Sequence, residues 1–391
     1  MSFQLISANI KNFKSLGDVK LNLRDLTILV GSNSSGKSNC LKALAFLSTM
    51  LEAGSPPPAE LLPSFLRIGA NEDIQFTIAV KESKKEAEYQ VSISADSKIT
   101  FVSREKLLVG KTKVIDIING QGKVRDENGG NTQTYKSKAG NLALKTAGDF
   151  GKKPVTSKLA EFIGNWEFYD LDPDMMRRSN RVLIGNRIIK TEKNPSLNAS
   201  GSEIQEVLEY WAENDSEKFK KVNQALSDCI GISLKLAQKE GEKTIEALEK
   251  DGLEVPLESM SDGTLRIIAY YILLNETELP PLIGIEEPER NLHPGILREV
   301  ASAIKQLSKR TQVIITTHSS QLLDCFSLAD INSDVSIILM SKKDNSGTQS
   351  FLLDELGKKR DDLAEWMRDF GVGSAVYHSH LLQEILIVKN I

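Results

Sequence analysis

The chain has 391 residues, 40% of them hydrophobic and 26% charged, with a formal net charge of -4. That length allows roughly two or three domain-sized units, or one large domain with insertions, and the composition suits a globular protein that buries a core. The mild acidity excludes a uniformly basic nucleic-acid binder but leaves room for a local basic patch.

No apolar run approaches the roughly 18 residues that a membrane span needs. Lys11 and Lys14 interrupt the stretch from Met1 to Leu16, so it lacks the apolar core of a signal peptide. The expectation is a cytoplasmic protein with no membrane partner. Cys40, Cys229 and Cys325 lie far apart in apolar helical patterns and read as buried free thiols.

Phe3, Leu5 and Ile6, then Ile10 and Phe13, alternate with polar residues, and Val19, Leu21 and Leu23 alternate again. These stretches predict paired strands. Leu26 to Val30 is nearly continuous apolar text, as expected of a strand buried on both faces. A small-residue loop follows, then a helix from Lys37 to about Leu51 with Leu41, Leu44, Leu47 and Leu51 on one face. Pro56-Pro57-Pro58 ends it in a loop.

From about Asp73 to Leu144 the pattern predicts strands, at Ile74 to Ile78, Tyr89 to Ile93 and Val114 to Ile118. Asn119-Gly120 and Asn128-Gly129-Gly130 mark turns. Ser157 to Leu248 reads as helical: Ser202 with Gln205 predicts a capping box, and Ile204, Val207, Leu208 and Trp211 share a face, as do Phe219, Val222 and Leu226. After Pro256 strand and helix alternate. Leu282 to Ile285 and Val313 to Thr316 are strands separated by a helix from about Gly295 to Leu307, the grammar of a parallel sheet.

Gly31-Ser32-Asn33-Ser34-Ser35-Gly36-Lys37-Ser38 fits the G-x-x-x-x-G-K-[ST] phosphate loop in full, between a strand and a helix. Glycines let the backbone wrap around phosphate with its N–H groups inward, and the helix start adds partial positive charge. Lys37 is expected to reach the β- and γ-phosphates and Ser38 to offer a hydroxyl to Mg²⁺. The predicted nucleotide contacts are Gly31, Asn33, Ser34, Ser35, Gly36, Lys37, Ser38 and Asn39.

Glu286 and Glu287 end the second apolar strand, ahead of Pro288-Glu289. Two carboxylates there are costly without a positive partner, and Mg²⁺ is the obvious one. Glu286 is expected to orient the metal and Glu287 to act as general base on the attacking water. Thr316-Thr317-His318 ends the next strand. An isolated histidine more often serves structure, but this position suits donation to the γ-phosphate. Ser261-Asp262-Gly263-Thr264 opens an apolar helix. It reads as an ordinary cap or as a second anion-binding end, and a second one makes sense if it serves a partner's nucleotide.

With these residues in order, the chain resembles ABC-type ATPase heads of the branch that holds the SMC, RecF and OLD proteins. Lys11-Asn12-Phe13-Lys14-Ser15 looks like that branch's N-terminal element, and Glu286 to Glu289 with Leu292-His293-Pro294 looks like its Walker B and D-loop. The resemblance covers about Met1 to Leu51 and Leu257 to Leu323. It implies ATP and Mg²⁺ as cofactors and a head-to-tail dimer around two ATP molecules. Lys14 and Asn33 would approach the phosphates, and Ser261 and Gly263 would cross the interface to the γ-phosphate. The Ser-Asp-Gly-Thr signature, and Glu286 in place of aspartate, point to the OLD-like side and away from transporters.

The expected fold is α/β, a P-loop NTPase head of ABC type with a mixed sheet. The nucleotide-binding core is expected from about 1–72 and 253–391, a β-rich lobe over 73–150 and a mainly helical insertion over 151–252. The leading function is a nucleotide-switched ATPase that acts on a protein effector, by analogy in DNA repair or anti-phage defence. An OLD-type nuclease is the alternative. About seventy residues follow His318, under half a typical domain, and no glutamate with an Asp-x-Asp pair stands out there. An ATP-dependent DNA-binding protein with little turnover is a further alternative. Arg177, Arg178, Arg181, Arg187 and Lys190 form a basic cluster that reads as a solvated face or a nucleic-acid contact. His378 and His380 lack enough companions for a metal site.

Overall fold

The computed structural model describes residues 3–378, apart from 71, 84, 96–98, 137–139, 149–150, 179–181, 185–186, 190–193, 240–241, 332 and 344–346. β1 (Gln4–Phe13) and β2 (Leu16–Asn22) pair antiparallel, with Ile10 opposite Val19. β3 (Leu26–Val30) leads through the phosphate loop into α1 (Lys37–Ala53). An antiparallel meander follows: β4 (Ile74–Glu82), β5 (Lys85–Ala95), β6 (Thr100–Val109), β7 (Thr112–Ile118), β8 (Gln121–Val124) and β9 (Gln133–Lys136).

Next come α2 (Ala143–Ala147), α3 (Pro154–Gly164), β10 (Glu167–Tyr169), α4 (Pro173–Met176), β11 (Val182–Ile184) and β12 (Arg187–Ile189). Then follow α5 (Ile204–Asn214), α6 (Ser216–Ile230), β13 (Ser233–Lys239), β14 (Glu242–Leu248) and β15 (Glu254–Pro256). The last stretch holds α7 (Asp262–Asn275), β16 (Leu282–Glu286), α8 (Leu297–Ser308), β17 (Gln312–Thr317), α9 (Ser320–Leu323), α10 (Leu328–Ile331), β18 (Val335–Lys343) and β19 (Gly347–Leu352). α11 (Leu353–Gly357), α12 (Asp361–Phe370) and α13 (Val372–His378) close the described chain.

Among the described residues one sheet of 14 strands runs β10-β16-β17-β3-β18-β19-β2-β1-β4-β5-β6-β7-β8-β9. β10, β16, β17, β3 and β18 are parallel, and the meander joins them through the pairing of β4 with β1. The central strands feed two cores. Leu26, Ile28 and Val30 of β3, with Val313 and Ile315 of β17, meet α7 and α8 on one face. Leu29 and Ile314 join α1, α3 and the inner face of the meander on the other. This explains the unbroken apolar text of β3: alternate side chains enter different cores, and neither face meets water. Gln312 clips β1 to the core. Its amide accepts from Leu5 N–H at 2.9 Å and donates to Leu5 O at 2.8 Å.

Two local expectations are overturned. The capping box fails because Ser202 Oγ accepts from Asn198 Nδ2, Gln205 turns to Glu209, and α5 starts at Ile204 with Glu203 at its cap position. Ser233–Lys239 and Glu242–Leu248 are not helical but pair as antiparallel strands β13 and β14, with Leu236 opposite Ile245. Their charged residues alternate with Leu234, Leu236, Ile245 and Ala247, which suits a strand period of two. Cys40 is buried, whereas Cys229 and Cys325 are half-buried free thiols.

Leu44 is 0% exposed beneath the sheet. Leu44→Ala should cost about 2–5 kcal/mol of stability, read from the urea midpoint. Ile68→Ala, at a side chain 98% exposed, should stay within about 0.5 kcal/mol of the parent.

Candidate nucleotide site

β3, β16 and β17 run parallel, so the loops after them emerge on one edge of the sheet. These loops carry the phosphate loop, the Glu286–Asn291 segment and His318. Gly31 is required by space: a Cβ there would lie 2.3 Å from Met340 O and 2.6 Å from Ser35 Oγ. Gly36 is required by conformation and space, with φ of 104° at the α1 cap and Thr348 Oγ1 2.3 Å from where a Cβ would sit. Ser34 is also left-handed, at φ 66°. Left-handed residues at Ser34 and Gly36 give the alternation that turns successive N–H groups to one side. Ser32, Asn33 and Ser34 are exposed, Ser38 and Asn39 half-buried.

The Lys37 side chain is 5% exposed. Its ammonium donates to Gly31 O at 2.7 Å and to Ser32 O at 3.1 Å. Burial pushes its pKa down, while the charges of Glu287, Glu289 and Glu286 pull it back up. The cation thus sits in the field of three carboxylates from the end of β16.

Glu286 ends β16 opposite Thr316. Glu287 follows with φ of 42° and donates its N–H to Thr316 Oγ1 at 3.1 Å. Its Oε1 lies 3.2 Å from His318 Nδ1. The structure therefore brings Lys37, Glu286, Glu287 and His318 to one site. It adds Glu289, for which the sequence suggested no separate role. Glu289 is 8% exposed, and its Oε1 accepts from Thr317 Oγ1 at 2.6 Å and from His318 N–H at 3.2 Å. An acidic residue two after the catalytic-base candidate was visible, but the strand end that it grips was not.

Ser261 caps α7, accepting from Thr264 N–H at 3.1 Å. Gly263 packs on the D-loop, where a Cβ would stand 3.0 Å from Asn291 O. Asp262 accepts from Asn291 Nδ2 at 2.9 Å and from Arg177, whose guanidinium holds that carboxyl below its usual range. Arg177 also donates to Met260 O at 2.9 Å. This member of the basic cluster therefore supports the Ser261 loop. Arg181 and Lys190 lie outside the described residues, as does the Arg187 side chain. None of the hydrogen bonds of Ser261 reaches the phosphate loop among the described residues.

Lys14 donates to Ser64 O at 3.0 Å and lies over the Phe65 ring, so its ammonium is engaged beside the β1–β2 turn. Its neighbour Ser15 accepts from Asn39 Nδ2 at 2.8 Å and meets Thr348 Oγ1 at 3.1 Å, which joins the turn to the start of α1. His378 is exposed at the end of α13, and His380 lies outside the described residues.

The residues fit a magnesium nucleotide. The glycine-built cradle excludes side chains, Ser35 Oγ is buried there without a hydrogen-bond partner, and a buried ammonium faces carboxylates that a divalent cation would balance. Ser38 and Glu286 supply the hard oxygen donors that Mg²⁺ prefers.

The sequence profile of the family described as "AAA domain, putative AbiEii toxin, Type IV TA system" matches residues 26–324. The Old nuclease of Escherichia phage P2 is 27% identical over 365 residues, which cover 83% of this chain and 58% of that protein. The chain thus spans little more than half the length of this relative. Among solved structures, an Smc head bound to the C-winged helix domain of ScpA aligns with a TM-score of 0.51 at 16% identity, over 90% of this chain and 99% of that one. An Smc head with an extended coiled coil, bound to the C-terminal domain of ScpA derived from Pyrococcus furiosus, aligns at 0.54 and 14% identity, over 94% and 100%. These two likenesses carry the fold. The profile match covers most of the chain, so the chain belongs to this AAA-domain family, and its fold is that of the Smc heads.

Proposed function

We propose that the chain binds Mg-ATP at Gly31–Ser38 and Asn39, hydrolyses it, and uses the cycle to close and open a head-to-tail dimer with a second copy of itself. One observation carries the reading: Lys37, Glu287 and His318 converge at one sheet edge, with Lys37 in the field of the β16 glutamates and Glu287 against Thr316 and His318 of the β17 end. Lys37 exchanges the Gly31 and Ser32 carbonyls for phosphate oxygens. Glu287 accepts the proton of the attacking water. His318 donates through Nδ1–H to Glu287 Oε1 and so aims the carboxylate, a tautomer inferred from the contact. Magnesium, held by Ser38 and Glu286, supplies charge neutralisation at the phosphates when bound. Ser261 and Gly263 are left to face the nucleotide of a second copy, with Asn33 and Lys14 at the rim.

In this reading the dimer controls a protein effector in DNA repair or anti-phage defence. The likeness to the Old nuclease and the Smc heads solved with ScpA domains support it. A second reading, favoured by the same nuclease relative, makes this head the ATP-driven regulator of a nuclease. Cleavage of plasmid DNA with Mg²⁺, with and without ATP, separates the two.

Because burial lowers the Lys37 pKa, its charge weakens the unliganded fold below that pKa, and the penalty fades as pH rises. Lys37→Met should therefore leave the unliganded melting temperature unchanged or higher. It should also erase the stabilisation that Mg-ATP gives the parent, about 2.7 kcal/mol at a hundredfold excess over Kd.

Glu287→Gln should retain Mg-ATP binding, lose at least about a hundredfold in kcat, and accumulate as a dimer on size exclusion with ATP. Turnover at the parental rate would remove Glu287 from its role. A variant that stays monomeric with ATP would remove the dimer.

A further inference from the structure

α13 is seated tightly behind His318. Gly373 N–H donates to Asp324 Oδ1 at 2.7 Å, and a Cβ on Gly373 would lie 2.0 Å from Ser320 O, so the helix touches the backbone of α9. One turn later Tyr377 reaches the nucleotide site. Its hydroxyl lies against the Gly31 N–H, the first amide of the phosphate loop, and feels the charge of Glu289; burial raises its pKa.

Two buried polar atoms here are left over. The Tyr377 hydroxyl meets no acceptor, and Glu289 Oε2 meets no donor. Its other oxygen, Oε1, already holds Thr317 and His318. A buried phenol without an acceptor and a buried carboxylate oxygen without a donor are complementary, and each is costly alone. Both border the same loop end, where Ser35 Oγ is also unpaired beside Gly31.

We infer that Tyr377 and Glu289 are a pair of positioning residues: when nucleotide draws the Gly31 end of the loop inward, the phenol donates to Glu289 Oε2 and locks the strand end that carries His318. Neither residue touches the reacting atoms; Glu289 acts through His318, and Tyr377 acts through Glu289. This rests on the ATPase reading above.

The test is steady-state turnover of Mg-ATP by the full chain and its variants. Tyr377→Phe keeps the ring and removes only the hydroxyl; Glu289→Gln keeps an Oε1 acceptor for Thr317 and His318. Each should lower kcat about tenfold with KM for ATP within about threefold, and the double variant should be no slower than the slower single one. Tyr135→Phe, which removes a β9 hydroxyl bonded to Thr146 of α2, should turn over like the parent. Parental kcat in both single variants, or losses that multiply in the double one, would overturn the pair while leaving the ATPase reading intact. A parent that neither binds nor hydrolyses Mg-ATP would overturn both. If Glu289→Gln does not fold, the kcat and KM of Tyr377→Phe decide alone.

Discussion

A nearly buried ammonium governs the nucleotide site. Lys37 has left water, and burial alone would favour its neutral form. It stays compatible with charge because two loop carbonyls accept hydrogen bonds from it and three glutamates at the end of β16 supply negative potential. Those glutamates in turn need a cation near them. The glycine cradle brings the two sets together: Gly31 and Gly36 allow backbone to pass where a Cβ would collide with Met340 or Thr348.

Around this balance the segment from Glu286 to Asn291 works as a junction. Glu287 and Glu289 grip the end of β17. Pro288 O accepts from Tyr270 in α7 at 3.1 Å, and Asn291 ties the D-loop to Asp262 at the α7 start. Arg290 reaches Asp170 at 2.7 Å. A shift of this one segment therefore displaces contacts on the β17 end, the Ser261 helix and the loop after β10 together. Such a shared joint is what a two-state element requires.

The sequence was most readable where the physics is local. Leu26 to Val30 announced a strand buried on both sides, and a loop of fixed spacing announced the tight glycine-built turn into α1. It was least readable where a residue's meaning lies far along the chain. Glu289 meets Thr317, Arg177 meets Met260 and Asp262, and Tyr377 meets Gly31, none of them neighbours in sequence. The β13–β14 pair was lost inside helical text because its apolar alternation is short and its ends are charged. Ser202 and Gln205 matched a cap pattern that Asn198 and Glu209 had already claimed. No local rule sees such competitors.

Glu287 carries a tension of its own. A residue with a side chain holds a backbone shape that glycine would accept far more easily. The fold tolerates the discomfort because the Thr316 hydroxyl and His318 pin both ends of the residue. Glycine at this one position would relieve the backbone but remove the carboxylate that faces His318, so ease of folding and the geometry of this strand end pull in opposite directions.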